Sequence, residues 1–271
     1  MPALYIVATP IGNLEDVSFR VLRILREVKL IAAEDTRKTK RLLTTYNIKT
    51  PVTSYHEHNK LTKMDYILGC LKEGEVALVS EAGTPGISDP GYELIVAASQ
   101  QGVPVIPVPG PSVVTTALTV SGLATDRFTY IGFLPRRTND RRRLLESVQN
   151  ETGTIIVLES PHRFLAGLRD ILLILGDRRI AVCRELTKIH EEVFRGVISR
   201  AIEHFAEPRG EFTLVIEGKG AKDKPQLTED IEQQLLQLRS SGVAAKEAVA
   251  RVAEETGLSK KELYQAWLKL A

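Results

Sequence analysis

Short apolar runs recur along the chain. Each ends in a polar break rich in glycine, proline or hydroxyls, and most lead into a segment whose apolar residues return at helical spacing. The first run, "ALYIVA" (3–8), is β-rich and stops at "TPIGN". From Ser18 to Val28 the positions Phe19, Leu22, Leu25 and Val28 predict a helix. The alternation continues with strand "KLIAAE" (29–34), helix "TRKTKRLLTTY" (36–46), strand "PVTSYH" (51–56) and helix "NKLTKMDYILGCLKEG" (59–74), closed by Gly74. Strand "EVALVS" (75–80), helix "YELIVAASQ" (92–100), strand "VPVIPV" (103–108) and helix "PSVVTTALTVSG" (111–122) complete the series. Five such strands, apolar on both sides and separated by helices, predict a parallel sheet covered on both faces.

Beyond residue 122 the pattern changes. Strand "FTYIGFL" (128–134) leads into "PRRTNDRRR", and strand "TIIVLES" (154–160) leads into helix "HRFLAGLRDILLIL" (162–175). "RRIAVCREL" (178–186) and "HEEVFRG" (190–196) are consecutive strands, followed by a helix to about Phe205 and strand "EFTLVIEG" (211–218). Consecutive strands predict a mixed sheet. "KGAKDKPQ" (219–226) has the composition of a polar linker. The remainder is helical in pattern, including 246–257 and 259–270, with Ser259 and Glu262 spaced as a capping box. The fold class is α/β. The expected division is an N-terminal α/β domain at 1–117, a second with a mixed sheet at 118–220, and a linker with a helical tail at 221–271.

Composition adds little and excludes much. A formal charge of +2 over 271 residues announces no nucleic-acid or membrane partner, so such evidence must be local. Cys70 and Cys183 are far apart and in no metal-binding spacing, which argues against a disulfide scaffold or zinc site and for a reducing cytoplasm. The N-terminus lacks a basic region before its apolar stretch, so no secretion signal is expected, and no apolar run is long enough for a membrane span.

The chemistry is concentrated in loops. "TPIGN" (9–13), "SEAGTPGISDPG" (80–91), "PVPGPS" (107–112) and "GFLPR" (132–136) are rich in glycine, proline and hydroxyls. Any one of them is what an ordinary turn looks like. Together, at the carboxyl ends of strands, they predict a ligand wall. Phosphate-binding glycine motifs and H-E-x-x-H are absent. "YHEHN" (55–59) has two histidines without a third ligand nearby, which favours a hydrogen-bonding or substrate-contacting role over metal binding, so no metal is expected. The pattern points to a nucleoside-like ligand held by backbone and hydroxyl groups. "TRKTKR" (36–41) sets Arg37, Lys40 and Arg41 on one helical face. "PRRTNDRRR" holds Arg136, Arg137, Arg141, Arg142 and Arg143. Either is a candidate phosphate-tracking patch or a solvated charged face.

The motifs "TPIGNL", "AEDTR", "YHEHN", "SEAGTPGISDPGY", "PGPS", "GFLPR", "ESPHR", "RELTKIHEE" and "GEF", in this order, closely resemble the ribosomal RNA small subunit methyltransferase I family of the tetrapyrrole methylase superfamily. The resemblance runs from Ala3 to about Gly218, and the helical tail is also similar. It implies two α/β domains of the tetrapyrrole methylase type with S-adenosylmethionine in the cleft between them. It implies methylation of the ribose 2′-hydroxyl of a cytidine in the decoding region of 16S rRNA, with free 16S rRNA or the small ribosomal subunit as partner, and a homodimer. Carried over by position, the cofactor contacts are Pro10, Gly83, Thr84, Ile87, Ser112, Phe133, Leu134, Cys183, Phe212 and Thr213. Many superfamily members have Gly-Asp-Pro where this chain has Gly83-Thr84-Pro85, so a carboxylate serving the cofactor falls to Asp89 or Glu81.

A 2′-hydroxyl must lose a proton on methylation. Candidate acceptors are Glu34, Asp35, His56, His58 and Glu159, with Asp35 and His56 preferred because both lie on loops of the first domain. A carboxylate in "AEDTR" can instead cap the following helix, and Glu159 can pair with Arg163 four residues on. Arg37 and Lys188 are candidate phosphate contacts. Two other readings stay open: a tetrapyrrole methylase, and a ribosome-assembly factor without turnover.

Overall fold

A computed structural model describes residues 2–220, 229–256 and 258–269. They form two compact units, Met1–Gly218 and Lys219–Ala271. The linker expected at 219–226 lies, from residue 221 onward, outside the described residues.

Five short strands, β1 (Leu4–Val7), β2 (Leu30–Ala33), β3 (Val52–Ser54), β4 (Val76–Val79) and β5 (Val105–Val108), pair in the order β3-β2-β4-β1-β5. Every pairing is parallel. The connecting helices are α1 (Phe19–Glu27), α2 (Thr36–Thr45), α3 (Lys60–Glu73), α4 (Tyr92–Gln100) and α5 (Val113–Ser121). Strands β2 and β4 are buried along their whole length, and alternate residues feed two cores. Ile31, Ala33, Ala77 and Val79 meet α1 on one face, whereas Ala32, Val76 and Leu78 meet α3 and α4 on the other. This explains the unbroken apolar runs. The chain leaves β1 toward β2 and leaves β4 in the opposite direction, toward β5. The adjacent carboxyl ends of β1 and β4 are therefore the topological switch point, where such sheets open a crevice. The loops that begin there are "TPIGN" and "SEAGTPGISDPG".

The second sheet contains β6 (Phe128–Phe133), β7 (Thr154–Glu159), β8 (Arg179–Arg184), β9 (Glu192–Val197) and β10 (Phe212–Ile216), in the order β6-β7-β10-β8-β9. It is mixed: β6 and β7 are parallel and the other pairs antiparallel. Helices α6 (Thr138–Ser147), α7 (Phe164–Leu175) and α8 (Ile198–His204) cover one face through Leu145, Phe164, Leu168 and Ala201. The other face packs on Ala117 and Leu118 of α5. The boundary expected at 117/118 thus falls inside a helix that connects the two sheets, and both belong to one compact unit. No helix was expected across "PRRTNDRRR", yet α6 begins at Thr138.

The tail unit is helical, with α9 (Glu229–Ser240), α10 (Ala245–Thr256) and α11 (Lys260–Lys269) around Leu235, Val252, Leu263 and Trp267. The Arg239 guanidinium lies 5.6 Å from the centre of the Trp267 ring. Ser259 Oγ accepts from the Glu262 amide at 3.2 Å and donates to the Glu262 carboxylate at 2.6 Å, closing the start of α11 as the sequence predicts. Among the described residues no helix is long and apolar enough to cross a membrane.

Candidate active site

The loops at the switch point are joined by backbone. The Thr9 amide donates to the Gly83 carbonyl at 2.9 Å, and the Gly83 amide donates to the Thr9 carbonyl at 3.0 Å. Beyond this bridge the 80–91 loop turns sharply. Gly91, at φ +153°, has no room for a side chain, because a Cβ there would lie 3.0 Å from Leu78 and 3.1 Å from the Gly86 nitrogen.

This loop forms one wall of a cavity of about 440 Å³ between the two sheets. The first half of the unit contributes Glu34 after β2, Gly83, Thr84, Ile87 and Asp89 from the loop, and Ser112 before α5. The second half contributes Tyr130 and Phe133 from β6, Glu159 from β7, and Phe212 and Thr213 from β10. Antiparallel pairing sets Phe212 opposite Glu159, so the start of β10 and the end of β7 reach the same edge. Ser88 Oγ and the Tyr130 hydroxyl are hydrogen-bonded at 2.6 Å across the cleft. At the other end Gly12 touches the 186–188 segment so closely that a Cβ would lie 2.6 Å from Thr187 Oγ1 and 2.9 Å from the Leu186 carbonyl oxygen. The Asn13 amide donates to Thr187 Oγ1 at 3.1 Å.

The cavity is electrostatically unusual. Glu34, Glu81, Asp89, Glu159 and Glu211 all line it, without a lysine or arginine on its wall. Burial, with the nearby Glu34 charge, pushes the Asp89 carboxyl up to about 7, partly opposed by its hydrogen bond with Ser80. Burial also raises Glu159, against the pull of the Ser160 amide and the Arg163 guanidinium. One Glu159 oxygen accepts from the Ser160 amide at 2.8 Å and meets Arg163 at 2.9 Å, while Oε2 is buried without a hydrogen-bond partner. A partly apolar chamber with aromatic side chains and excess carboxylates suits a ligand that carries both a flat ring system and positive charge.

Most of these residues lie within a known family match, with Glu211, Phe212 and Thr213 just beyond its end. Residues 3–202 match the family described as Tetrapyrrole (Corrin/Porphyrin) Methylases, and residues 226–271 match the RsmI C-terminal HTH domain. The chain is 48% identical over 271 residues to the ribosomal RNA small subunit methyltransferase I of Halalkalibacterium halodurans, covering 97% of this chain and 94% of that protein. It is 53% identical over 222 residues to the protein of the same name from Thermotoga maritima, covering 81% of this chain and 100% of that protein. The chain belongs to the ribosomal RNA small subunit methyltransferase I family. Among solved structures, the uroporphyrin-III-C-methyltransferase of Thermus thermophilus superimposes with a TM-score of 0.57 at 18% identity, over 80% of this chain and 94% of that one, which establishes the shared fold.

Within this methyltransferase fold the expected site residues separate into groups. Gly83, Thr84, Ile87, Asp89, Ser112, Phe133, Phe212 and Thr213 line the cavity together. Pro10 lines an adjoining cavity instead. Leu134 and Cys183 do not line it: Leu134 is buried in the core beneath α7, and Cys183 packs against α5 with its thiol pushed up by burial to about 12. Of the expected proton acceptors, Glu34 and Glu159 are on the cavity wall and Asp35 and His56 are not. Asp35 caps α2, accepting from the amides of Lys38 at 3.1 Å and Arg37 at 2.7 Å. Those bonds hold its carboxyl below the usual range and make it a poor base. His56 lies past the end of β3, with its ring 6.1 Å from that of His58. Strand geometry does not extend to the histidines, and among the described residues no group of His, Cys, Asp and Glu is arranged to hold a metal.

The arginine run also divides. Arg136, Arg137 and Arg143 are exposed. Arg142 pairs with Asp170 at 2.9 Å, and Arg141 is buried against the same carboxylate at 2.6 Å, so Arg141 is a structural residue and not an RNA contact. Arg37 is exposed beside Asp35, and Lys188 pairs with Glu185 and Glu211. Sequence reasoning missed Tyr130 and Glu211. Tyr130 lies two residues before "GFLPR" and Glu211 lies inside "GEF", but which strand end reaches the cleft depends on pairing between distant segments.

Proposed function

We propose that the chain transfers a methyl group from S-adenosylmethionine to the ribose 2′-hydroxyl of a cytidine in 16S rRNA, as free RNA or within the small ribosomal subunit. The observation that carries this reading is the extended similarity to ribosomal RNA small subunit methyltransferase I proteins, combined with a carboxylate-rich cavity where the family's motifs meet. The cavity fits the donor on its own terms. Glu34 offers negative charge to a cationic ligand, joined by Asp89 when it ionises, and Phe133, Tyr130 and Phe212 offer apolar surface to a planar base. Thr84 and Ser112 add hydroxyls.

When bound, S-adenosylmethionine supplies an already activated methyl electrophile. The protein then has to hold the sugar oxygen in line and exclude water, and such positioning supplies roughly 7–11 kcal/mol of a barrier. Glu34 is the expected acceptor for the hydroxyl proton. It lines the cavity, whereas Asp35 caps a helix and Glu159 is tied to Arg163. Its Oε2 accepts from the Glu81 amide at 3.0 Å, which fixes its position.

The test is to incubate the protein with methyl-labelled S-adenosylmethionine and 16S rRNA, small ribosomal subunits or uroporphyrinogen, and to locate the label. Label on a cytidine ribose is expected. Label in the macrocycle, favoured by the fold match alone, or label nowhere, would reject the proposal. In the same assay Glu34→Gln, which keeps the acceptor for the Glu81 amide, should lower the rate about 10²–10⁴-fold.

A further inference from the structure

A second cavity, of about 330 Å³, adjoins the first. The two share Ile11, Glu81, Ala82 and Glu211 in their walls. The chemistry differs on the two sides. The first has carboxylates without a basic side chain on its wall, whereas the second is lined by Lys38, Arg41 and Lys188. Both shared carboxylates are paired to lysines of the second cavity. Lys38 is ion-paired with Glu81, and Lys188 lies 2.8 Å from Glu211 and 3.0 Å from Glu185. Arg41 has no carboxylate partner among the described residues. Helix α2 brings Lys38 and Arg41 to this cavity by their spacing of three residues, with Leu42 beside them. The grouping of Arg37, Lys40 and Arg41 expected from sequence is therefore divided, since Arg37 and Lys40 do not line the cavity. The apolar floor is firm. The Leu14 carbonyl accepts from the Tyr46 hydroxyl at 2.7 Å, and Leu14 and Leu42 both contribute to the wall.

We propose that this second cavity seats one nucleotide of the RNA substrate, with its phosphate on Arg41, Lys38 and Lys188 and its sugar directed toward the wall shared with the methyl-donor cavity. A nucleotide combines an apolar ring, a hydroxylated sugar and an anion, which are the three kinds of surface the cavity presents. A phosphate accepts several charge-assisted hydrogen bonds at once, and an arginine beside it can bind it bidentately. The lysines are held in place by Glu81 and Glu211 before RNA arrives. The proposal rests on the RNA methyltransferase reading and adds a location and named contacts to it.

The experiment measures binding of a short cytidine-containing single-stranded RNA to the full chain across salt concentrations, for the parent and for Lys38→Ala, Arg41→Ala and the outward-facing Lys40→Ala. Thermal unfolding checks that each variant is folded. Binding needs no turnover, so it is separate from the methylation assay. Loss of about 0.7 from the logarithmic salt slope per cation removed is expected for Lys38→Ala and for Arg41→Ala, with weakened affinity, while Lys40→Ala stays at the parent slope. Unchanged slopes in folded Lys38→Ala and Arg41→Ala would overturn the proposal even if the parent methylates RNA. An equal change in Lys40→Ala would overturn it in favour of a general basic face. Parent protein that binds this RNA at the expected slope but leaves it and the ribosomal RNA unmethylated would instead reject the activity and keep the site.

Discussion

Burial, joined by the charge of Glu34, pushes the Asp89 carboxyl up to about 7, so the group changes charge near neutral pH. The sign follows from the direction. A carboxyl held protonated by the fold contributes its stability below the ordinary carboxylate range and loses it as pH rises through about 7. A cationic ligand has the opposite preference, because it favours the charged carboxylate. Binding of S-adenosylmethionine, followed by calorimetry, should therefore tighten between pH 6 and pH 8, with the unliganded protein melting slightly lower over the same interval. Asp89→Asn should flatten both trends, and a parent affinity independent of pH would show that this carboxylate does not face the donor. Single residues also show how far the sequence could be read. Gly83, Thr84 and Ser112 belong to loops whose composition marked them out. Asp35 did not separate from Glu34 in the sequence because both sit at one strand end. Only the structure shows that Asp35 is taken up by the cap bonds to Arg37 and Lys38 while Glu34 reaches the cavity wall.

At the level of elements, apolar runs locate strands well because a strand buried on both faces admits few polar residues. Helix α6 escaped for the converse reason. Its sequence, "TNDRRRLLES", is dominated by charge, and its buried arginine is paired with Asp170, a residue of α7. Local periodicity carries no information about a partner 29 positions away. That pair fixes α6 to α7, with both side chains almost wholly buried. Arg141→Ala would leave Asp170 in a low-dielectric setting with only the half-exposed Arg142 beside it. Breaking a buried pair of this kind costs about 3–5 kcal/mol. Chemical denaturation should show a loss on that scale for Arg141→Ala and well under half of it for the exposed Arg143→Ala. Equal effects would mean that the ion pair does not hold the helices.

For the α/β unit as a whole, the cavity exists because two sheets of different topology present their loop-bearing edges to one another. The sequence made both sheets legible. It did not make their junction legible, since contacts such as Gly12 with Thr187 join residues more than 170 positions apart. Gly12→Ala places a methyl group 2.6 Å from Thr187 Oγ1 and 2.9 Å from a backbone oxygen, so one loop must retreat. A displacement of about 1 Å at a reacting centre costs on the order of 10²-fold in rate. Methyl transfer by Gly12→Ala should fall by about that factor while the melting temperature changes little. A variant as active as the parent would show that this contact does not set the cleft.

The two-amide bridge between Thr9 and Gly83 has a mechanical consequence. Thr9 borders one chamber and Gly83 the other, and each donates to the other's carbonyl. The pair is a rigid yoke: neither wall can be pushed aside alone, and whatever reshapes one chamber carries the edge of its neighbour with it.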